Sequence, residues 1–242
     1  MNYNPILLEE MGIKIPKMMA CKITINELQG EVLEKYQKAE KSFSEMISVD
    51  KGGKNLVRVV YELHDQLIAE YYAKNQIACK KGCDICCHQL VCCTALEMET
   101  IIDFIENLSG MEKTKILYHV RKESVKFFKA HKEVLTSTKN WESIGEYLKE
   151  CAYGITPCPY LNTRERKCIV YPARPLICRM TRTKNPCGEI EQLKVLPQEV
   201  NLYVDQIASA VIICEEKRQY GNTRLYPMAG WAITEPYGNF FL

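Results

Sequence analysis

Hydrophobic residues recur at three- and four-residue spacing over long stretches of the chain, which is the period of a helix with one buried face. The clearest stretch, residues 56–71, follows a break at Lys51-Gly52-Gly53-Lys54. Capping-box patterns at Thr24–Glu27 and Thr94–Glu97 predict two helix starts, because the threonine oxygen and the glutamate carboxylate satisfy the first amide donors. The pattern predicts helices over residues 24–49, 56–78, 94–108, 111–131, 140–152 and 196–218.

Residues 154–188 interrupt this helical pattern. The segment carries five prolines, which exclude a long helix and favour turns, and we expect a short hairpin around Cys168 to Tyr171. Strand and helix segments do not alternate, which argues against a doubly wound sheet or a barrel. We predict a mainly α single domain over residues 1–242. It has N-terminal helices at 24–78 and a core of two irregular cysteine-rich loops at 79–188. A C-terminal helix plus an apolar tail follow at 196–242, and we expect the tail to pack back on the body.

Composition and charge exclude few classes of function. Hydrophobic residues make up 47% of the chain, and 32 basic against 30 acidic side chains give a net charge of +2. This balance lacks the strongly basic character that is typical of nucleic-acid-binding proteins. The longest apolar stretch, residues 207–214, is far shorter than the roughly 20 residues that span a bilayer. We therefore expect no nucleic-acid partner and no membrane span.

The chain contains thirteen cysteines, which point to more specific classes of function. Disulfides are typical of short secreted chains, but the first residues show no signal-peptide pattern and the cysteine count is odd. The adjacent pairs Cys86-Cys87 and Cys92-Cys93 are also awkward for intrachain bridges. We therefore expect a reducing, cytoplasmic location in which the clustered cysteines bind metal. Isolated cysteines can instead be buried thiols that pack as small hydrophobes, which suits Cys21, Cys151 and Cys214.

Two sets of cysteines have the spacing of a soft-metal site. Thiolates favour zinc, copper(I) and iron–sulfur clusters over hard cations. A zinc ion and a 4Fe–4S cluster both take four ligands, so the ligand count leaves the metal open. Cys92, Cys93 and His88 have two interpretations, as ligands or as packing and hydrogen-bonding neighbours. The two sets are Cys79, Cys83, Cys86 and Cys87, and then Cys158, Cys168 and Cys178 with Cys187 beyond.

The first set also has the spacing by which radical S-adenosylmethionine enzymes hold a cluster with one open iron. Cys79, Cys83 and Cys86 match that spacing, but they follow a predicted helix and not the first strand of a barrel. Too few residues remain for a barrel of about 250 residues. A radical barrel enzyme is therefore disfavoured.

Two arginines flank Cys178 in the second set. The planar fork of an arginine side chain suits carboxylates and phosphates, so Arg174 and Arg179 are candidates for binding a substrate carboxylate. The alternative is structural, with either arginine forming a salt bridge that ties the loop to a helix.

These residues together resemble the YkgJ-like cysteine-cluster family, described as a zinc- or iron-chelating CxxCxxCC domain. The resemblance covers residues 79–180 and rests on five motifs. They are Cys79-Lys-Lys-Gly-Cys83-Asp-Ile-Cys86-Cys87-His88, Thr94-Ala-Leu-Glu97, Cys158-Pro-Tyr-Leu, Cys168-Ile-Val-Tyr and Arg174-Pro-Leu-Ile-Cys178-Arg179.

The resemblance implies a metal-binding cytoplasmic protein. A related branch, the flagellin lysine N-methylase FliB, has a similar cysteine cluster and uses S-adenosylmethionine with an iron–sulfur centre. This chain is shorter than that branch and ends its motif differently, at Arg174-Pro-Leu-Ile-Cys178-Arg179, so methyl transfer to lysine is an analogy. The implied ligand pool is Cys79, Cys83, Cys86, Cys87, Cys158, Cys168 and Cys178.

Two hypotheses of function follow. The first is a protein that holds an iron–sulfur cluster, most simply 4Fe–4S, in a redox or catalytic role that includes S-adenosylmethionine-dependent methyl transfer. The second is a non-enzymatic module that binds zinc or iron for structure, sensing or delivery. Either function would involve a protein partner or a protein substrate.

Overall fold

The computed structural model describes residues 30–49, 52–72, 82–88, 91–137, 157–182, 203–233 and 237–241. These residues are mainly helical, which confirms the predicted fold class. Internal contacts divide the chain into two compact units. Unit 1 comprises residues 1–76 and 200–224, and unit 2 comprises residues 77–199 and 225–242. The single domain over residues 1–242 stays a prediction.

Unit 1 contains three described helices: α1 (Gly30–Val49), α2 (Gly53–Tyr72) and α6 (Tyr203–Tyr220). The apolar face of α2, with Val57 and Val60, is buried, and so is that of α6, with Ile207 and Val211. The three helices pack against one another in every pairing. Helical periodicity in the sequence therefore identified the core-facing positions of α2 correctly.

The break between α1 and α2 lies at the predicted glycine pair. Gly52 and Gly53 have φ angles of 83° and 66°, a backbone conformation that favours glycine. The Gly53 amide donates a hydrogen bond of 2.5 Å to Glu215 Oε1 on α6. This bond satisfies one of the first amide donors of α2, which have no partner within the helix.

Unit 2 contains α3 (Ala95–Glu106), α4 (Gly110–Ser137), α5 (Leu176–Met180) and α7 (Met228–Trp231) among its described residues. The capping box predicted for α3 is present, because Glu97 N donates to Thr94 Oγ1 at 3.2 Å and Thr94 N donates to Glu97 Oε2 at 2.9 Å. Helix α4 begins one residue before the predicted start at Met111 and continues to Ser137, six residues beyond the predicted end at His131. The helix predicted over residues 140–152 lies outside the described residues.

Two short antiparallel sheets complete the described part of unit 2. Strands β1 (Cys92–Thr94) and β4 (Leu225–Pro227) pair with Cys93 opposite Tyr226. Strands β2 (Leu161–Asn162) and β3 (Lys167–Cys168) form the second sheet. The hairpin predicted around Cys168 to Tyr171 is therefore present but lies earlier in the sequence. Its turn depends on Asn162, whose Oδ1 accepts from the amides of Arg164 and Glu165. Tyr171 instead starts a separate 3₁₀ turn, Tyr171–Ala173.

The apolar tail packs within unit 2, as the sequence predicted. Strand β4 leads into α7, and the Trp231 ring lies edge-on to Tyr226 and Tyr237 with centroids 5.4 Å apart in both pairs. Phe241, in the 3₁₀ turn Gly238–Phe241, is 1% exposed. None of the helices in the described ranges is long and apolar enough to cross a membrane.

Candidate metal centre

Unit 2 contains the described cysteines of both predicted sets. Cys86 and Cys87 lie in a 3₁₀ turn, Ile85–His88, which follows Cys83. Cys158 precedes the β2–β3 hairpin, Cys168 ends β3, and Cys178 lies in α5. Cys79 and Cys187 lie outside the described residues. The nine described cysteines are all free thiols: Cys83, Cys86, Cys87, Cys92, Cys93, Cys158, Cys168, Cys178 and Cys214.

Backbone hydrogen bonds bring the two sets together. Cys158 N donates to Cys87 O at 2.7 Å, which joins the second set directly to the end of the first. Ile169 N donates to Tyr160 O at 2.8 Å, and Leu161 pairs with Cys168 across the hairpin. Cys158 therefore lies next to the first cysteine loop, and Cys168 lies on the strand β3 of the hairpin that follows Cys158.

An ion pair fixes the same two segments from their side chains. Arg166 Nε and Nη2 donate to Asp84 Oδ1 at 3.1 and 2.6 Å. The two residues are 82 positions apart in sequence. Asp84 is buried, and the hydrogen bond from Arg166 holds the pKa of its carboxyl below the usual value. The positive φ of 51° at Arg166 turns the backbone after the exposed tip of the hairpin. Asp84 therefore ties the cysteine loop to the hairpin.

The carboxylate of Glu97 joins α5 to the start of α3. One oxygen, Oε2, accepts from the Thr94 amide in the capping box, and Oε1 accepts from Leu176 N at 2.7 Å. Leu176 is the first residue of α5, two positions before Cys178. The capping box was predictable from sequence, but the second bond of Glu97 was not, since no local pattern marks its partner.

The thiols of the two sets lie close enough to affect one another's ionisation. A hydrogen bond donated by Cys87 and the positive charge of Arg174 lower the pKa of Cys86 to about 7, against the effect of burial. That same bond, together with burial, raises the pKa of Cys87 far above its usual range. The charges of Cys158 and Cys168 raise it further. Thiols from both sets therefore converge in one region of unit 2.

The second set is held mainly as neutral thiols. Burial raises the pKa of Cys158 to about 12 and that of Cys168 to about 11, because a thiolate loses its hydration in the interior. Burial also raises the pKa of Cys178, with further contributions from Cys158 and Cys168. Backbone amides of Tyr160 and Val170 oppose these shifts by hydrogen bonding to Cys158 and Cys168. Such amides stabilise thiolate charge when a cation replaces the protons.

Within the described ranges, no group of three or more Cys, His, Asp or Glu side chains has the geometry to hold a metal ion. The two cysteine sets meet as backbone segments and as groups whose charges interact.

The two predicted substrate-binding arginines have different surroundings. Arg174 Cζ lies 4.1 Å from the centroid of the Tyr171 ring, and its charge lowers the pKa of both Cys86 and Cys168. Arg179 is buried, and it donates from Nε to Arg174 O at 3.0 Å and from Nη2 to Pro172 O at 2.6 Å. Arg179 therefore stabilises the turn before α5, and substrate binding by either arginine stays a prediction.

No family model, curated protein or solved structure matches the chain. The resemblance to the YkgJ-like family therefore stays a prediction that rests on the motif residues themselves.

Proposed function

We propose that this protein binds a soft metal through thiolates of unit 2, with an iron–sulfur cluster as the first assignment. The observation that carries the proposal is the convergence of Cys86, Cys87, Cys158, Cys168 and Cys178 from two segments that are far apart in sequence. Thiolates are the ligands that iron–sulfur clusters, zinc and copper(I) prefer.

The protonation of these thiols supports the same assignment. Burial disfavours the thiolate form at Cys158, Cys168 and Cys178, so an isolated charge there would be unfavourable. A bound cation would replace the protons and supply the compensating charge, and metal binding to cysteines releases protons for this reason. Arg174 adds a positive charge beside the group, which offsets part of the negative charge of a thiolate-bound centre.

Backbone amides beside the thiols favour an iron–sulfur cluster as the first assignment. The five converging thiols are enough for a zinc ion or for a 4Fe–4S cluster, since each takes four ligands. Amide hydrogen bonds to the sulfurs of Cys158 and Cys168 are of the kind that tunes cluster potentials. The second candidate function is a zinc- or iron-binding module with a structural, sensing or delivery role, which the same thiols also support.

Matched cysteine variants test the assignment. Cys158→Ser removes a buried thiol of the converging group, whereas Cys214→Ser changes a thiol of unit 1. Both proteins are purified without oxygen, and iron, zinc and acid-labile sulfide are measured per chain. We expect Cys158→Ser to lose most of the bound metal and Cys214→Ser to keep it. Equal metal content in the two variants would contradict the assignment.

A redox or catalytic role, a cytoplasmic location and a protein partner or substrate complete the proposal. Free thiols throughout the described residues suit a reducing compartment. S-adenosylmethionine binding stays a prediction, and titration of the metal-loaded protein with S-adenosylmethionine, followed by calorimetry and by the cluster spectrum, checks it. Binding that perturbs the spectrum would favour an enzyme, and no binding would favour the non-enzymatic module.

A further inference from the structure

Strand β1 carries two adjacent cysteines whose surroundings differ. Side chains of successive strand residues point to opposite faces of a sheet, so the side chains of Cys92 and Cys93 lie on opposite faces of the β1–β4 sheet. Cys93 is 0% exposed, and its carbonyl accepts a hydrogen bond of 3.0 Å from Trp231 Nε1. The strand is also fixed by pairing with β4, where Cys93 lies opposite Tyr226. Cys93 is therefore held on a rigid element.

The Glu97 carboxylate places Cys93 next to the helix that carries Cys178. Its two oxygens accept from Thr94 N, the residue after Cys93, and from Leu176 N, two residues before Cys178. Strand β1 and helix α5 are in direct contact. Cys93 and Cys178 are thus both attached through short backbone segments to one buried carboxylate.

The Cys158 segment approaches the same place. Tyr160, two residues after Cys158, is fully buried and its hydroxyl donates to Met98 Sδ at 3.8 Å on α3, the helix that directly follows β1. Cys93, Cys178 and Cys158 are therefore each linked to the start of α3, through Thr94 and Glu97, through Leu176 and Glu97, and through Tyr160 and Met98.

We propose that Cys93 is a further thiolate ligand of the metal centre, shared with Cys158 and Cys178. The inference rests on the proposed function and extends the ligand set beyond the motif cysteines. It assigns to the centre one sulfur from strand β1, which its pairing with β4 and the Trp231 hydrogen bond hold in place. The same sulfur would suit iron in a cluster or a zinc ion, since both bind thiolate.

Cys92 provides a matched control one residue away. Wild-type protein, Cys93→Ser and Cys92→Ser are purified without oxygen, and iron, zinc and sulfide per chain are measured with the visible spectrum. We expect Cys92→Ser to match the wild type, and Cys93→Ser to lose at least about half of the metal or to change the spectrum. Iron with sulfide identifies a cluster, and zinc without colour identifies a zinc site.

A stability comparison separates ligation from packing. The melting temperature of Cys93→Ala and of the wild type is measured with metal bound and after chelation. A ligand predicts a larger loss in the metal-bound form than in the chelated form, because metal binding stabilises the folded state. Equal losses in both forms would assign Cys93 to packing alone and overturn the proposal.

A measurement on the wild type covers the case in which the Cys93 variants do not fold. The chelated protein is loaded with cadmium-113, and we expect a scalar coupling between the metal and the β protons of Cys93. Coupling to other cysteines but not to Cys93 would overturn the proposal. Wild-type protein that retains no iron or zinc would instead overturn the proposed function itself. If the wild type holds metal and the Cys93 variants match it in metal content and spectrum, the Cys93 assignment alone is overturned.

Discussion

The two units satisfy their buried polar groups in different ways. In unit 1 they pair between and along regular helices: His64 Nε2 lies 2.6 Å from Asp205 Oδ1, and Glu215 binds both Arg218 and the Gly53 amide. In unit 2 single side chains join turns that are far apart in sequence, as Asp84 and Glu97 do. Unit 1 is built from packed helices, whereas unit 2 combines irregular turns with eight of the nine described thiols. The proposed metal would add a further link between the turns of unit 2.

Metal removal should distinguish the units most strongly. Structural zinc contributes roughly 10–16 kcal/mol of binding energy to small folded domains, so loss of a thiolate-bound metal should open the cysteine segments. We expect amide hydrogen exchange over residues 157–182 to accelerate at least about tenfold after chelation, because local opening becomes easier. Exchange over α6, Tyr203–Tyr220, should stay unchanged. Equal acceleration in both segments would remove the contrast between the units.

In unit 1, Asp205→Ala should have the largest effect of a single substitution. It leaves His64, which is 0% exposed, without its 2.6 Å partner. A buried polar group left without its hydrogen-bond partner costs about 1–3 kcal/mol, and more where the group is charged. The free energy of unfolding in urea measures this loss. Asp65→Ala is the control, because its carboxylate is half-exposed and lies 3.5 Å from His64 Nδ1, so we expect a loss below about 1 kcal/mol. Similar losses in both variants would contradict the assigned pairing.

Glu97→Gln should weaken the attachment of α5 in unit 2. The substitution keeps the shape of the side chain but removes one of the two oxygens that accept from Thr94 N and Leu176 N. A buried amide left without an acceptor costs about 1–3 kcal/mol. Urea unfolding should detect this cost, and Glu106→Gln, at the exposed end of the same helix, should change stability by less than about 0.5 kcal/mol. A stable Glu97→Gln protein would show that the carboxylate does not hold α5.

The Asp84–Arg166 pair should give the smallest effect and a defined pH dependence. Arg166 lowers the pKa of Asp84 in the folded state, so the pair stabilises the protein above the unfolded pKa of about 3.9. That stabilisation is lost as the pH falls through the lower, folded-state pKa. Wild type should therefore melt at a higher temperature than Asp84→Asn at pH 7, and the difference should shrink below about pH 4.

Comparing the two proteins at each pH cancels effects that they share, including metal release. Glu165→Gln disrupts the neighbouring pair with Lys167, in which both side chains are more than half exposed, and should leave the melting temperature almost unchanged. A difference between wild type and Asp84→Asn that persists unchanged at pH 3 would rule out the ion pair as its cause.

The sequence predicted what local patterns determine. The apolar period of α2, the glycine break before it and the Thr94 capping box each involve neighbouring residues, and each is present. These features were accessible because the residues that specify them are close in sequence or chemically distinctive. The cysteine spacing left open whether the two sets form one centre, and the structure brings them together through the hydrogen bond from Cys158 N to Cys87 O.

Contacts were not predictable where the two residues are far apart in sequence and neither belongs to a recognisable pattern. The β1–β4 sheet joins two three-residue strands that show no alternating pattern, so only the folded chain reveals the pairing. Arg166 is one of 32 basic residues, and nothing near it identifies Asp84 as its partner. The hairpin was placed too late because its turn depends on Asn162, whose side chain accepts two backbone hydrogen bonds.

The most direct measurement of the central claim is the iron, zinc and acid-labile sulfide content per chain of wild-type protein purified without oxygen, together with its visible spectrum. We predict about four irons and four sulfides per chain with absorbance near 400 nm, as a cysteine-ligated 4Fe–4S cluster gives. A colourless protein with bound zinc would move the assignment to the zinc-binding module. Protein that is folded, free of iron and zinc, and unchanged by their addition would contradict the claim that unit 2 is a metal centre.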